Sequence, residues 1–205
     1  FVDYNHVFVP YCSGDVWVGE QLTPTDPWAG TPGQTSNRTF VFSGHTIVQA
    51  VIAQLQDYVG EGSVAELLLE GCSAGGLGTF SNADWVAGQF PAAKVRANPQ
   101  CGWFGLAIDD YAHWSTNTTD PDPYHSRDNG WMLNIDKFRF AAFEACLTDV
   151  PNATEAACGR VPLYYPYTTT PMFVSENTAD SYQVFVQGGC PDDFDDPTAV
   201  GFVEY

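Results

Sequence analysis

The stretch VAELLLEGCSAGG (residues 64–76) decides the fold of this 205-residue chain. Its first half, from Val64 to Glu70, is a short apolar run that ends at a glycine, which is typical of a buried strand in a parallel sheet. A helix is predicted from about Gly75 to Phe90. The two elements meet at a turn of the form G-x-S-x-G, which is the pattern of a nucleophile elbow.

The serine of this turn, Ser73, is the predicted nucleophile. Such a turn is too sharp for flanking side chains, so glycine is expected to be required at Gly71 and Gly75, and the serine hydroxyl is expected to stand above the sheet. The backbone N–H of Ala74 lies at a helix N-terminus and is predicted to point toward a developing oxyanion. The alternative interpretation is a glycine-rich turn that only joins a strand to a helix.

Apolar patterns elsewhere predict further strands and helices. Short apolar runs at residues 6–9 (HVFV), 94–97 and 171–175 (PMFVS) predict strands, the first and last of them buried. Helical spacing predicts an amphipathic helix over residues 45–59, and another helix is predicted over residues 138–146. Strands that alternate with helices indicate an α/β fold with a mainly parallel sheet flanked by helices.

A serine nucleophile needs a base to accept its proton and an acid to orient that base, and in α/β hydrolases the acid and then the histidine follow the serine in sequence. Asp180 is the predicted acid because it follows the strand PMFVS by a few residues, where a loop carboxylate can reach across the top of the sheet. Asp109 and Asp110, at the end of another apolar stretch, are the alternatives.

The base is harder to assign, since the chain has four histidines and none follows Asp180. His6 and His45 are expected to be structural, the second as a surface or capping residue at the start of a helix. His113 and His125 lie in polar stretches and are the other candidates.

Cysteines and glycosylation sequons indicate the secretory pathway. The chain has six cysteines, and N-x-S/T sequons stand at Asn37, Asn117 and Asn152. Disulfides persist and glycans are added in that pathway, so a secreted glycoprotein is predicted. Cys146 and Cys158 flank the third sequon in a short polar segment and are the preferred disulfide pair.

Charge and composition exclude several classes of partner. With 25 acidic against 7 basic residues, the net charge of −18 repels polyanions, so nucleic acid is not an expected partner. The acidic run at residues 192–196 lacks the spacing of a calcium loop, and no metal site is predicted. No apolar run is long enough to span a membrane. The chain opens inside an apparent strand without a signal peptide, which suggests an incomplete or processed polypeptide.

In several blocks the chain resembles the pectin acetylesterase and Notum family of carboxylesterases. The order and spacing of the blocks agree over nearly the whole chain, which makes the resemblance far more specific than the elbow alone. The blocks are VPYCSGDVWVG (residues 9–19), F-x-G at Phe42 and Gly44, GCSAGG (residues 71–76), GWF-x-x-x-x-D around Trp103, and PMFVSENTADSYQ around Asp180.

This resemblance implies an α/β hydrolase that removes an acyl group from an oxygen ester without a metal or organic cofactor. Ser73 matches the family's nucleophile and Asp180 its acid. Residues 1–205 then form the central part of a single domain, with the catalytic histidine expected after Tyr205 and a glycine-rich oxyanion loop before Phe1. Flanking segments or another chain are expected to complete the fold.

The resemblance leaves two substrate classes open, an acetylated polysaccharide such as pectin and a lipidated protein. SGDVWVG (residues 13–19) favours the Notum branch, and the negative charge disfavours an anionic galacturonan. Trp103, Phe104 and Trp131 are candidates for lining an acyl pocket, although aromatic side chains more often belong to the core. A rival hypothesis is a non-catalytic extracellular glycoprotein that keeps the esterase scaffold for assembly or binding.

Overall fold

The fold is read from a computed structural model that describes residues 3–26, 39–60, 62–104, 136–177 and 180. Its regular elements within these ranges follow in chain order. They are α1 (Gly44–Val59), β1 (Glu66–Cys72), α2 (Ala74–Gln89), β2 (Lys94–Gln100), α3 (Ala141–Asp149), α4 (Glu155–Cys158), α5 (Val161–Tyr164) and a 3-10 turn at Tyr165–Tyr167. None of the described helices is long and apolar enough to cross a bilayer.

The sheet is parallel. β1 and β2 pair in register from Glu66 opposite Lys94 to Cys72 opposite Gln100, and α2 connects them. Residues 171–175 lie along the other edge of β2, also parallel, with four backbone hydrogen bonds of 2.8–3.1 Å to the stretch from Ala97 to Cys101. The carboxyl ends of the three extended segments therefore all lie at the same end of the sheet. That end carries the functional groups in α/β proteins with a parallel sheet.

Helix α2 lies at the centre of the packing. Most of the buried residues of α2 are small or polar, and two clusters of apolar residues meet at this helix. One cluster joins Phe80 of α2 to the helices α3–α5, and the other joins Val86 of α2 to Ile52 of α1. Gly78 lets the Trp17 ring approach the helix closely, since a Cβ there would lie 2.4 Å from a ring carbon.

The buried carboxylate of Asp15 organises the loop that precedes α1. Its oxygens accept hydrogen bonds from the backbone N–H groups of Trp17 (3.1 Å), Gly19 (3.2 Å) and Gly44 (2.6 Å), the last of which opens α1. A Cβ at Gly19 or Gly44 would lie 2.3 Å from these oxygens. A negative charge at a helix N-terminus is favourable, so a carboxylate can be buried here at an acceptable cost. These contacts give the motif SGDVWVG (residues 13–19) a structural role, since it holds the loop against the start of α1.

His45 is buried rather than at the surface, and it does not cap α1, so that part of the expectation was wrong. Its ring stacks on Phe138 at 3.6 Å, and its Nδ1 atom lies 2.7 Å from the Asn82 side-chain oxygen. Its Nε2 atom has no hydrogen-bond partner among the described residues and lies 3.9 Å from a carboxylate oxygen of Glu20. Burial lowers the pKa of His45, although Asn82 and Glu20 act in the opposite direction.

The helices α3–α5 form a cap that is closed by a disulfide. Cys146 of α3 bonds to Cys158 of α4, with 5.7 Å between the Cα atoms, and both residues are fully buried. The predicted pair is therefore present, on helices rather than in a polar loop. Asn152 lies between them, exposed and with a φ of 59°.

Most of the predicted elements are present with shifted bounds, and three expectations were wrong. Residues 171–175 pair with β2 but are not buried, and Phe173 is 73% exposed. Residues 6–9 are extended but form no strand, and Phe8 is 89% exposed. β1 is only half-buried, because β2 is its one strand neighbour among the described residues. The helix predicted over residues 138–146 begins later, at Ala141.

His45 gives the fold a pH dependence that can be measured. The neutral ring is the buried form, so the unfolded chain binds more protons below the ordinary histidine pKa of about 6.5. We expect the free energy of unfolding to fall as pH drops through this value, with a contribution from His45 of at most about 1.4 kcal/mol per pH unit. Urea unfolding at pH 7.5 and pH 5.5 measures the change.

His45→Asn is the matched variant, because the asparagine side-chain nitrogen takes the place of Nδ1 as the donor to Asn82 and cannot titrate. It should be less stable than the natural protein at pH 7.5 and should lose less stability on acidification. An equal loss in both proteins would show that His45 does not cause the effect.

Candidate active site

Ser73 occupies a strained turn between β1 and α2. Its φ of 58° and ψ of −119° are rare for a residue with a side chain, and it is exposed. Backbone strain of this kind costs roughly 1–3 kcal/mol and is found mainly at functional sites. The turn therefore has the geometry that a nucleophile elbow requires, with the serine at the strand-to-helix junction.

Backbone contacts hold this turn in place. The Ser73 N–H donates to the Gln100 carbonyl at the end of β2 (2.9 Å), and the Ser73 carbonyl accepts from the Leu77 N–H in α2 (3.0 Å). A Cβ at Gly71 would lie 2.3 Å from the Gly75 carbonyl oxygen. Glycine is thus required at Gly71, as predicted.

The second glycine that the turn needs is Gly76, not Gly75. A Cβ at Gly75 would meet no atom of the described residues within 4 Å, whereas a Cβ at Gly76 would lie 2.5 Å from the Gln100 carbonyl oxygen and 2.8 Å from the Gly102 Cα. The prediction for Gly75 was wrong because the crowding comes from the neighbouring strand β2, which the motif itself does not include.

Ala74 is the first residue of α2, with Ser73 as its N-cap. The N–H groups of the first helical turn have no partner within the helix, and the helix dipole makes this end favourable for negative charge. The Ala74 N–H thus lies immediately beyond Ser73, at a position suited to an oxyanion donor.

Acidic side chains lie at the same edge of the sheet. Glu176, just after residues 171–175, accepts a hydrogen bond of 2.8 Å from the Trp103 N–H. The pKa of the Cys101 thiol is raised, mainly by a hydrogen bond with Cys72 and then by burial. The negative charges of Glu176 and Asp180 add to this effect, so the half-buried Asp180 lies near the end of β2, as Ser73 does.

Two of the three aromatic candidates for lining an acyl pocket lie within the described residues. Trp103 packs edge-on against Phe80 (5.9 Å) and Tyr165 (5.1 Å) and so extends the core below the site. Phe104 is half-buried beside it, and Trp131 lies outside the described residues.

Several other predicted site residues also lie outside the described residues. They are the alternative acids Asp109 and Asp110, the histidines His113 and His125, the sequons at Asn37 and Asn117, and the acidic run at residues 192–196. Within the described ranges, no three His, Cys, Asp or Glu side chains come together as a metal site would require. Of the two described histidines, His45 is enclosed in the core and His6 is exposed in an extended segment.

Comparison with known proteins agrees with this geometry. The family model described as pectinacetylesterase matches residues 1–192. The chain belongs to the pectinacetylesterase family. It is 31% identical over 190 residues to the palmitoleoyl-protein carboxylesterase NOTUM of Homo sapiens, covering 89% of this chain and 34% of that protein. Its identity to the palmitoleoyl-protein carboxylesterase notum1' of Xenopus laevis is 30% over 192 residues, covering 89% of this chain and 35% of that protein.

A solved structure shows the same fold. The Wnt deacylase Notum from Drosophila superimposes with a TM-score of 0.64 at 25% sequence identity, covering 95% of this chain and 52% of the other. The α/β-hydrolase fold predicted for this member of the pectinacetylesterase family is thus confirmed. The chain spans about a third of the length of these curated relatives and about half of that structure.

Sequence reasoning missed two features of the site, the contact between Cys72 and Cys101 and the contact of Glu176 with the Trp103 backbone. The first had a signal, because each cysteine ends or follows a strand of the predicted sheet, and parallel strands end at one edge. The second had none, since a glutamate in a loop gives no indication of its partner.

A pair of substitutions tests which glycine the elbow needs. Gly71→Ala is expected to lower the unfolding midpoint strongly or to prevent folding, because its Cβ has no room against the backbone of the first turn of α2. Gly75→Ala is expected to leave the midpoint unchanged or to raise the free energy of unfolding by up to about 1 kcal/mol, since alanine is the better helix former. Thermal unfolding of both variants checks this, and equal losses would contradict the geometry.

Proposed function

We propose that the protein is a serine carboxylesterase that hydrolyses an O-acyl ester through an acyl-enzyme. The observation that carries the proposal is the strained conformation of Ser73 at the start of α2, in a chain of the pectinacetylesterase family. The family relatives named above are carboxylesterases, which supports this reaction. Residues 1–205 are proposed to belong to one hydrolase domain.

The proposed reaction begins with attack of the Ser73 hydroxyl on the ester carbonyl. The carbonyl oxygen becomes an oxyanion, which the N–H of Ala74 at the positive end of α2 stabilises. The alcohol leaves, and water then releases the acid from the serine.

Asp180 is the proposed acid of the triad, supported by its position after the segment that runs parallel to β2. Its role is to orient a histidine that takes the proton from Ser73. His45 is unsuited as that base, because its ring is stacked inside the core and its Nδ1 lies against Asn82. We assign the base to a histidine outside the described residues.

The substrate we favour is a lipidated protein, with an acylated polysaccharide as the second candidate. Two kinds of observation support this order. The relatives named above are palmitoleoyl-protein carboxylesterases, and the net charge of −18 with Glu176 and Asp180 near the site opposes an anionic galacturonan. The protein is further proposed to be secreted and glycosylated at Asn37, Asn117 and Asn152.

Labelling with a fluorophosphonate tests the nucleophile. The full-length protein should be labelled covalently, and Ser73→Ala should lose the label while remaining folded. Ser63→Ala is the matched control, because Ser63 is also exposed but lies in the turn before β1 and hydrogen bonds to backbone carbonyls of Val59 and Gly60. If the folded full-length protein takes no label, the non-catalytic glycoprotein is the better account.

Substitution of the acid tests the triad. Asp180→Asn should lower kcat for a nitrophenyl ester by about 10⁴-fold, because the amide favours the wrong histidine tautomer. Glu176→Gln, a neighbouring carboxylate, should have a much smaller effect. Equal rates for Asp180→Asn and the natural protein would remove Asp180 from the triad and leave the labelling result on Ser73 unaffected.

A further inference from the structure

Two cysteines lie close to the proposed nucleophile Ser73. Cys72 immediately precedes it, and Cys101 immediately follows the neighbouring strand β2. Cys72 is the last residue of β1 and is in register with Gln100, the last residue of β2, so Cys101 is one residue from the register partner. Both are thiols in the structure. Neighbouring strands lie about 4.8 Å apart, and a disulfide needs Cα atoms roughly 5.5–6 Å apart, so the spacing suits a bond across the sheet.

The conformation of Cys101 leaves its thiol free to face Cys72. In a continuing strand, residues opposite each other point to the same face, so Cys101 would point away from Cys72. Cys101 instead has a φ of 48°, which ends the alternation. Cys72 is the largest cause of the raised pKa of the Cys101 thiol, which places the two thiols near each other, and the Asn177 amide lies 3.9 Å from the Cys101 sulfur.

We propose that Cys72 and Cys101 form a second disulfide, across the parallel strands and next to Ser73. The bond is separate from the disulfide between Cys146 and Cys158 and does not depend on whether Ser73 is a nucleophile. It would close a loop that contains the whole of α2 and would tie the residue before the strained turn to the end of β2.

The bond can form by exchange with a small-molecule disulfide such as oxidised glutathione. The exposed Cys72 is the first nucleophile: its thiolate attacks one sulfur, releases one glutathione and leaves a mixed disulfide. Cys101 then loses its proton, and its thiolate attacks the Cys72 sulfur and releases the second glutathione. Two thiols and one oxidised glutathione thus give one protein disulfide and two reduced glutathiones.

The positions of lysine and arginine make the test direct. The chain has seven such residues, and trypsin cleavage after them places each of the four cysteines outside the known disulfide in a different peptide. These are the peptide ending at Arg38 (Cys12), residues 39–94 (Cys72), residues 97–127 (Cys101) and the peptide that begins at Val161 (Cys190). Residues 140–160 hold both Cys146 and Cys158 and serve as an internal control.

Mass spectrometry of the full-length protein after equilibration with oxidised and reduced glutathione reads the pairing. We expect the peptides 39–94 and 97–127 to be joined, and to separate on reduction with a gain of two hydrogen atoms. Free or glutathione-capped thiols in both peptides, while residues 140–160 remain internally bonded, would overturn the proposal. A link from either peptide to Cys12 or Cys190 would overturn it equally.

Stability provides a second measurement that does not depend on digestion. Cys72→Ser and Cys101→Ser should each lower the Tm of the oxidised protein by roughly 5–10 °C. The double variant should lose no more than either single variant, because both substitutions remove the same bond. If the losses of the two single variants add in the double variant, the residues contribute separately through packing. The same conclusion follows if each variant remains less stable than the natural protein by the same amount after both have been reduced.

Discussion

The close approach of the first turn of α2 to the ends of β1 and β2 is the constraint on which the site depends. Backbone meets backbone there, since Gly76 lies against Gly102 and the Ser73 N–H reaches the Gln100 carbonyl. The strain in Ser73 costs roughly 1–3 kcal/mol, which hydrogen bonds at both ends of the residue and the packing of α2 must offset. A helix that lay even slightly farther from the sheet would allow the serine to relax and its hydroxyl to turn away.

Helix α2 also places the elements around the site. Asn82 contacts the His45 ring and the Trp17 carbonyl, and so connects the helix to α1 and to the loop before it. Two residues further on, Asp84 accepts hydrogen bonds from the backbone N–H groups of Thr169 and Thr170, just before residues 171–175 enter the sheet. The segment that leads to Asp180 is therefore positioned by the same helix that begins immediately after Ser73.

The sequence predicted the parts of the fold that depend on local pattern. The elbow, α1, α2 and the parallel segments were recognisable because apolar spacing and glycine position report on local backbone structure. Burial and crowding were less predictable, because they depend on neighbours that are distant in sequence. Residues 6–9 have the composition of a strand but find no strand partner among the described residues, and the glycine requirement moved from Gly75 to Gly76 because of Gln100. His45 could not be recognised as a core residue, since Phe138 covers it from 93 positions away along the printed chain.

The carboxylate of Asp15 has a consequence for how this part of the chain can vary. It binds the backbone at Gly19 and at Gly44, and antiparallel pairing between Thr25 and Phe40 continues the closure. Thr25 and Phe40 are therefore both fixed by backbone hydrogen bonds to each other. In general, doubling the length of chain between two fixed points costs only about 0.6 kcal/mol. Insertions and deletions in the sequence between Thr25 and Phe40 can therefore accumulate while the start of α1 and the parallel sheet stay as they are.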